Sequence, residues 1–378
     1  MKFDILRDRF LNGLNDVMKA VNSKTTIPIL TGIKIDVTNE GIDLTGSDAD
    51  ITIQTFIPVE ENGEQIINIS ETGSIVLQAR MFNEIVRKLP TNEVEIEVTN
   101  SFATNIRSGK SEFHLIGSDA SEYPLLPELS ADRQFSIPAD LLKSIIRETV
   151  FAVATSESRP VLTGVNWKVE EDELICIATD SHRLARRKVK LENLPTDITS
   201  VVIPGKSLNE LFKILDDSTN PVQIVLTNQQ VLFKTDDVLF FSRLLEGNYP
   251  DTSRLIPEDY KTNVTINGKS LLQAIDRASL LAREDRNNVV RFETLQANTV
   301  EISSNSPEIG KVEEQIQVEA LDGEALKISF SAKYMMEALK AIDGQDVIIQ
   351  FTGAMRPFIL RSIADDAILQ LILPVRTY

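Results

Sequence analysis

Histidine and cysteine are nearly absent from this sequence, and their scarcity narrows the possible chemistry before any motif is sought. A single cysteine, Cys176, allows no intrachain disulfide and no thiolate-rich zinc or iron–sulfur site, which fits a reducing compartment. With only His114 and His182, a multi-histidine metal site is ruled out, and a catalytic triad would have to use one of these two. No apolar run approaches the roughly 18 residues needed to span a bilayer, and Met1 to Phe10 carries no signal-peptide pattern, so a cytoplasmic protein is expected. Positive charge is short as well. The 39 Lys and Arg against 56 Asp and Glu give −17, whereas a chain holding nucleic acid by charge alone would lean the other way. Glycine and proline, 16 and 15 of 378 residues, leave no collagenous or disordered character. The length suggests two or three domains of roughly 150 residues.

What the chain does have is an internal repeat with a period of roughly 126 residues, which fills it three times. A strand-like stretch followed by an apolar-periodic helix starts at Phe3-Asp4-Ile5, at Phe135-Ser136-Ile137 and at Val264-Thr265-Ile266. A second such unit starts at Val76 to Arg80, at Val202 to Lys206 and at Ser329 to Lys333, with helices expected to end near Leu89, Leu215 and Ile342. Strand pairs between them open at Ile29-Leu30-Thr31-Gly32, at Val161-Leu162-Thr163-Gly164 and, more distantly, at Val289 to Phe292. Alternating β-branched segments such as Glu93 to Val98 and Val222 to Leu226 have the period of half-buried strands. Each third therefore reads as the same helix-plus-strands half written twice. The proline-bearing stretches Tyr123 to Pro127 and Tyr249 to Pro257 read as linkers.

The second helix of each third carries basic residues at equivalent places: Arg80 and Arg87, Lys206 and Lys213, Lys333 and Lys340. Seven residues make nearly two turns, so each pair lies on one face. The expected core stripe opposite them is Met81, Ile85 and Leu89, then Leu208, Leu211, Phe212 and Leu215, then Met335, Leu339 and Ile342. The first helices are less uniform: Lys143 and Arg147 share a face in the second copy and Arg277 follows Lys269 in the third, but Asp16 takes the equivalent place in the first. Basic residues on solvent faces are ordinary. Their recurrence in all three copies of an acidic chain instead suggests a surface held close to phosphates.

Three motifs add to the repeat: Thr179-Asp180-Ser181-His182-Arg183-Leu184-Ala185, Asn248-Tyr249-Pro250-Asp251 with Arg254-Leu255-Ile256-Pro257, and the ending Leu373-Pro374-Val375-Arg376. With them the whole chain, from Met1-Lys2-Phe3 to Tyr378, resembles the bacterial sliding clamp, the β subunit of DNA polymerase III. It departs at Ser181, where many members have glycine, and in Thr377-Tyr378 beyond the arginine.

The resemblance implies an α+β clamp fold in three tandem domains, 1–128, 129–256 and 257–378, each a two-fold repeat of a helix and an antiparallel sheet. It implies a head-to-tail homodimer closed into a ring, helices inside and sheets outside, that encircles duplex DNA without sequence preference. Helix spacing favours two chains: six helices about 10 Å apart enclose a hole too small for a duplex, and twelve leave about 28 Å. The replicative polymerase, clamp loader and repair proteins are the implied partners, through short linear peptides, with no cofactor and no membrane.

Residue by residue, the resemblance places a peptide pocket at Leu162, Thr179, His182, Arg183, Leu184, Pro250, Arg254, Leu255, Leu371, Leu373, Pro374, Val375 and Arg376. Lys24 and Arg159 on loops join Arg80, Arg87, Lys143, Arg147, Lys206, Lys213, Arg277, Lys333 and Lys340 as DNA-facing residues. Phe113 and Leu115 with Lys110 would meet Leu280 and Leu281 with Glu308 and Glu313 across the subunit contact. Several of these leucines would equally suit an ordinary core, and His182 a structural role. Adjacent Asp180, Ser181 and His182 do not make a triad, because that geometry needs side chains converging from separate segments. Asp48 and Asp50 have a metal-ligand spacing but no His or Cys support, and read as exposed loop carboxylates. The competing functions are a peptide-binding scaffold that never encircles DNA, which would lack the recurring basic faces, and a carboxylate-dependent enzyme, for which no convincing motif is present.

Overall fold

Six α-helices lie among the described residues (1–99, 101–127, 133–192, 194–195, 200–282 and 288–376) of the computed structural model, and a β-strand feeds directly into each. They are α1 (Arg7–Val17), α2 (Ala79–Lys88), α3 (Ala139–Thr149), α4 (Gly205–Phe212), α5 (Gly268–Ala282) and α6 (Ala332–Ala341). None of these helices is long and apolar enough to cross a membrane. The start of α2 shows how the strand-to-helix switch is made. The Gln78 side chain accepts from the Met81 amide at 2.7 Å, satisfying one of the open N–H groups, and Arg87 and Lys88 sit in the last turn against the negative end of the helix dipole.

The strands form antiparallel sheets within two compact units, residues 1–140 with 210–244 and residues 141–209 with 245–378. The division runs through the middle third because its strands belong to sheets shared with the other two thirds. In the first unit an eight-stranded sheet joins Val238–Arg243 of the middle third to Ile51–Pro58 of the first, in a register from Val238 opposite Thr55 to Ser242 opposite Ile51. In the second unit a nine-stranded sheet joins Arg183–Lys190 to Ile368–Ile372, from Arg183 opposite Ile372 to Arg187 opposite Ile368. Five- and four-stranded sheets and a two-stranded ribbon, Glu60–Glu61 with Glu64–Gln65, make up the rest. The outermost strands Ser111–Ile116 and Gly310–Gln317, in the five- and four-stranded sheets, are exposed along most of their length.

In the first unit, α1 packs on α2 and on strand Ile51–Pro58, and the ring of Phe10 stands edge-on to Phe3 at 6.2 Å and to Phe82 at 5.8 Å. In the second, α5 and α6 pack together over Phe292, Phe330, Phe351 and Phe358. The glycine at 46 is a packing requirement, since a Cβ there would collide with the Val17 carbonyl at the end of α1. The linkers are tied down by tyrosines at equivalent places: Tyr123 packs with Leu30, Val76 and Ala120, and Tyr249 packs on a cluster around Leu184 and Leu371.

Two expectations are corrected. Met81 does not belong to the core stripe of α2; it is 56% exposed, and the buried positions are Ala79, Phe82, Ile85 and Val86, because Phe82 is the side chain that reaches Phe10. The fourth helix stops at Phe212 rather than near Leu215. Lys213 thus lies in the following turn, where Ile214 and Leu215 both donate to the Leu211 carbonyl.

Phe82→Ala should cost about 3–5 kcal/mol, as removal of a buried aromatic does, while Met81→Ala should stay within about 0.5 kcal/mol. Urea denaturation of the two variants reads the difference, and equal losses would return Met81 to the core.

Candidate functional site

The run from Thr179 to Leu184 is a tight turn closed by its own side chains. The Thr179 hydroxyl donates to the Arg183 carbonyl at 2.6 Å, and Asp180 Oδ1 accepts from the amides of His182 at 2.9 Å and Arg183 at 3.1 Å. Ser181 sits at φ +78°, a conformation that glycine adopts without strain, which gives a backbone reason for the glycine that the resemblance implies there and makes the serine a strained replacement. The turn leaves His182 exposed and sends Leu184 inward, opposite Leu371. Asp180 is committed to these amides and to Arg183, so Asp180, Ser181 and His182 form no catalytic relay.

Beneath the turn, Ile175, Ile177, Leu184, Ile359, Leu369 and Leu371 make an apolar cluster, with Tyr249, Ile256, Tyr260 and Leu373 packed at its margin. Next to Ile256, Leu255 and Pro257 line an open recess of about 710 Å³ together with Arg254, Asp259, Lys261, Thr352, Arg356 and Pro357. Leu255 is 50% exposed there, and Met355 also stands out into solvent. The chain end is docked: Leu373 donates to the His182 carbonyl at 3.0 Å and Val375 to that of Ser329 at 2.8 Å, with Pro374 and Val375 half-buried and Arg376 exposed. Leu162 and Thr179 are buried and Pro250 is exposed. Thr352, Arg356 and Pro357 escaped the sequence reading because they lie about a hundred residues from Arg254 and follow no periodic pattern.

One pocket residue is placed differently from the expectation. The Arg183 side chain is only 7% exposed and all its directions are taken: Asp180 at 3.0 Å, Glu337 of α6, the Phe151 carbonyl, and the faces of Tyr334 at 4.4 Å and Phe151 at 5.3 Å. It lies inside the wall, with each guanidinium nitrogen already hydrogen-bonded within the chain.

Lys24 and Arg159 occupy equivalent exposed loops, each just before a short 3-10 turn, Pro28–Thr31 and Pro160–Thr163. Arg80, Lys206, Lys333 and Lys340 are exposed, and among the described residues the side chains of Arg80, Lys333 and Lys340 pair with no acid. Others are partly neutralised: Arg87 by Glu84, Lys213 by Glu210 at 2.8 Å, and Arg147 by Glu148 at 3.9 Å; Lys143 is half-buried. Arg277 departs furthest from a DNA-facing role. Its guanidinium forms a two-point pair with Glu314 on the edge strand, which holds that carboxyl below the usual carboxylate range.

On the other exposed edge, Phe113 and Ile116 project outward, Ile116 at 88% exposure, with Leu115 half-buried and Lys110 exposed just before the strand. At the end of α5, Leu280 is 60% exposed and Leu281 half-buried. Glu308 and Glu313 are exposed, with Glu313 paired to Lys311 at 2.9 Å, and Ile309 is exposed between them. Ile116 and Ile309 were missed by sequence reading, since a lone apolar residue, in a strand at Ile116 and in the turn before a strand at Ile309, carries no periodic mark of exposure.

Among the described residues no three His, Cys, Asp or Glu side chains gather as a metal site. Asp48 uses Oδ1 to accept from the amides of Asp50 and Ile51. Cys176 is fully buried, and burial pushes its thiol well above the ordinary cysteine range.

Three domain models of one family match in order: the N-terminal domain of the DNA polymerase III beta subunit over residues 1–127, its central domain over 136–251 and its C-terminal domain over 253–376. The beta sliding clamp of Bacillus subtilis is 62% identical over the full length of both chains, and that of Staphylococcus aureus is 53% identical over the same span. The crystal structure of the Bacillus subtilis clamp superposes with a TM-score of 0.96 at 61% identity, covering all of both chains. Agreement in the order of the domains, in length and in fold means that the chain belongs to the DNA polymerase III beta subunit family, the beta sliding clamps.

Proposed function

We propose that two copies of this chain close head to tail into a ring around duplex DNA. Each copy would supply three domains, 1–128, 129–256 and 257–378, with the helices turned to the hole. Sliding clamps are non-catalytic subunits, so the work is topological: enclosure retains the DNA while the acidic bulk discourages adventitious binding. The observation that carries the dimer is the pair of exposed edge strands. Ser111–Ile116 and Gly310–Gln317 each present a row of open backbone N–H and C=O groups, a liability that pairing removes. Joining the five- and four-stranded sheets through these edges would give a sheet of the size that already crosses each boundary between thirds. Phe113, Leu115 and Ile116 on one side and Leu280, Leu281 and Ile309 on the other supply the apolar centre, with Lys110 facing Glu308 and Glu313 at the rim.

The exposed Arg80, Lys206, Lys333 and Lys340, with Lys24 and Arg159 on their loops, face phosphates without reading bases. The replicative polymerase, clamp loader and repair proteins dock as short peptides on His182, Leu255, Leu373 to Arg376 and the recess lined by Arg254 and Arg356. Leu184 and Leu371 back the site from the apolar cluster beneath the turn, and Leu162 and Thr179 are buried alongside. The ring works in the cytoplasm.

Loaded clamp should stay on nicked circular DNA through gel filtration and leave it when the circle is cut. Equal retention on linear DNA would point to ordinary binding. Leu280→Ala with Leu281→Ala removes apolar area worth several kcal/mol from the centre of the contact. Sedimentation at low micromolar concentration should then show monomers, and a persisting dimer would move the interface elsewhere. Leu255→Ala alters an exposed side chain and should leave folding intact while weakening a polymerase-derived peptide about tenfold by calorimetry. A change within twofold would take Leu255 out of the site.

A further inference from the structure

The sheets that cross the two boundaries between thirds are built alike, so side chains at matching places can be compared. Thr55 stands between Leu44 and Val238 in one sheet as Arg187 stands between Cys176 and Ile368 in the other. On the first helices, Asp16 of α1 and Glu148 of α3 are each the penultimate residue of an eleven-residue helix, so Asp16 matches Glu148 rather than Arg147. At the second boundary these places hold a buried ion-pair network. Arg187 Nε meets Glu148 at 3.3 Å, and Nη1 meets Asp365 just ahead of strand Ile368–Ile372. The first boundary keeps acids on both sides, Asp16 on the helix and Asp236 and Asp237 just ahead of strand Val238–Arg243, but has a threonine where the arginine would be.

A recess of about 210 Å³ lies there, lined by Asp16, Asp216, Asp236 and Asp237 together with aliphatic side chains such as Leu215 and Val222. Val238 also lines it, and Thr55, directly opposite Val238 on the ladder, shares its face. Thr55 is 1% exposed and its hydroxyl has no hydrogen-bond partner among the described residues, an uncommon state for a buried polar group. Lys19 meets Asp16 at 2.7 Å and Arg9 meets Asp237 at 3.5 Å, whereas Asp236 pairs with no cation among the described residues. Such neighbours leave room for a further cation, since Glu148 holds Arg187 with Arg147 also at 3.9 Å. Burial pushes the Asp237 carboxyl above the ordinary aspartate range, with Arg9 opposing the rise.

We propose that this recess binds a guanidinium group, taking from a ligand the cation that Arg187 supplies from within the chain at the second boundary. The volume falls below the roughly 300–1,000 Å³ of a drug-sized site and suits one charged head on a short stem. Carboxylates match the guanidinium fork, and the aliphatic wall covers the methylenes of the stem. A metal ion suits the recess less well, because among the described residues no three His, Cys, Asp or Glu side chains gather as a metal site. The ligand is therefore arginine-like, either a free guanidine or the arginine side chain of a protein segment.

The test uses the full-length protein and three probes: agmatine, its urea analogue N-carbamoylputrescine, which keeps the amine and lacks the guanidinium, and the tripeptide acetyl-Gly-Arg-Gly-amide. Calorimetry at low ionic strength, where screening is weak, should show saturable binding of agmatine and at least about tenfold weaker binding of the urea analogue. Asp236→Asn alters an exposed side chain and should leave the melting temperature unchanged while weakening agmatine about tenfold. Thr55→Arg copies the second boundary and should abolish agmatine binding by placing the chain's own guanidinium in the recess. If Thr55→Arg does not fold, Asp236→Asn and Asp16→Asn decide. Binding of the tripeptide identifies an arginine side chain as the ligand, and binding of agmatine alone identifies a free guanidine. The proposal is overturned by no saturable binding of either, by equal binding of the urea analogue, or by wild-type affinity in the folded variants.

Discussion

Backbone hydrogen bonds that cross between the thirds of the chain are the constraint on which the other features rest. Strand Val238–Arg243 pairs with Ile51–Pro58, and Arg183–Lys190 pairs with Ile368–Ile372, so neither boundary is a hinge between separately closed sheets. A ladder of this kind fixes register and twist together, because a one-residue slip would turn every buried side chain to the opposite face. The middle third accordingly has one half in each compact unit. The turn from Thr179 to Leu184 sits at the end of one such ladder, where Arg183 is opposite Ile372, which explains why the chain terminus and the turn are held by the same pairing.

Charge is arranged by the same repeats. The bulk is acidic, and the basic residues recur on second helices with a glutamate four positions later. Where that glutamate pairs locally, as with Arg87 and Lys213, the helix surface is moderated; exposed pairs of this kind contribute little stability, and their effect is on local potential. Where it is drawn away, as at Glu337, the lysine is left with its full charge. The molecule therefore grades its positive surface without altering the number of basic residues per helix.

Sequence periodicity made the three copies and the helix starts at Ala79, Gly205 and Ala332 legible, since strand-to-helix switches and apolar spacing are local properties. Partner choice was not legible. Met81 and Phe82 are neighbours with similar hydrophobicity, and only the position of Phe10, seventy residues away, decides which is buried. Arg183 lies in a motif that suggests exposure, and its burial depends on Glu337 and Tyr334, about 150 residues distant. Arg277 shares the helical spacing of the other basic residues, yet an acid on the neighbouring strand claims it. The Arg356 side of the recess is assembled from a loop with no regular pattern at all.

The single thiol has a practical corollary. Cys176 is enclosed on all sides within a strand of the nine-stranded sheet and is held in its protonated, unreactive form by burial. The native protein is therefore chemically blank toward maleimides and iodoacetamides without any substitution of its own. A cysteine introduced on an exposed position, such as the loop carrying Lys24 or the edge strand beside Ile116, would be the sole labelled site. Fluorophores or spin probes could then report distances in otherwise wild-type molecules.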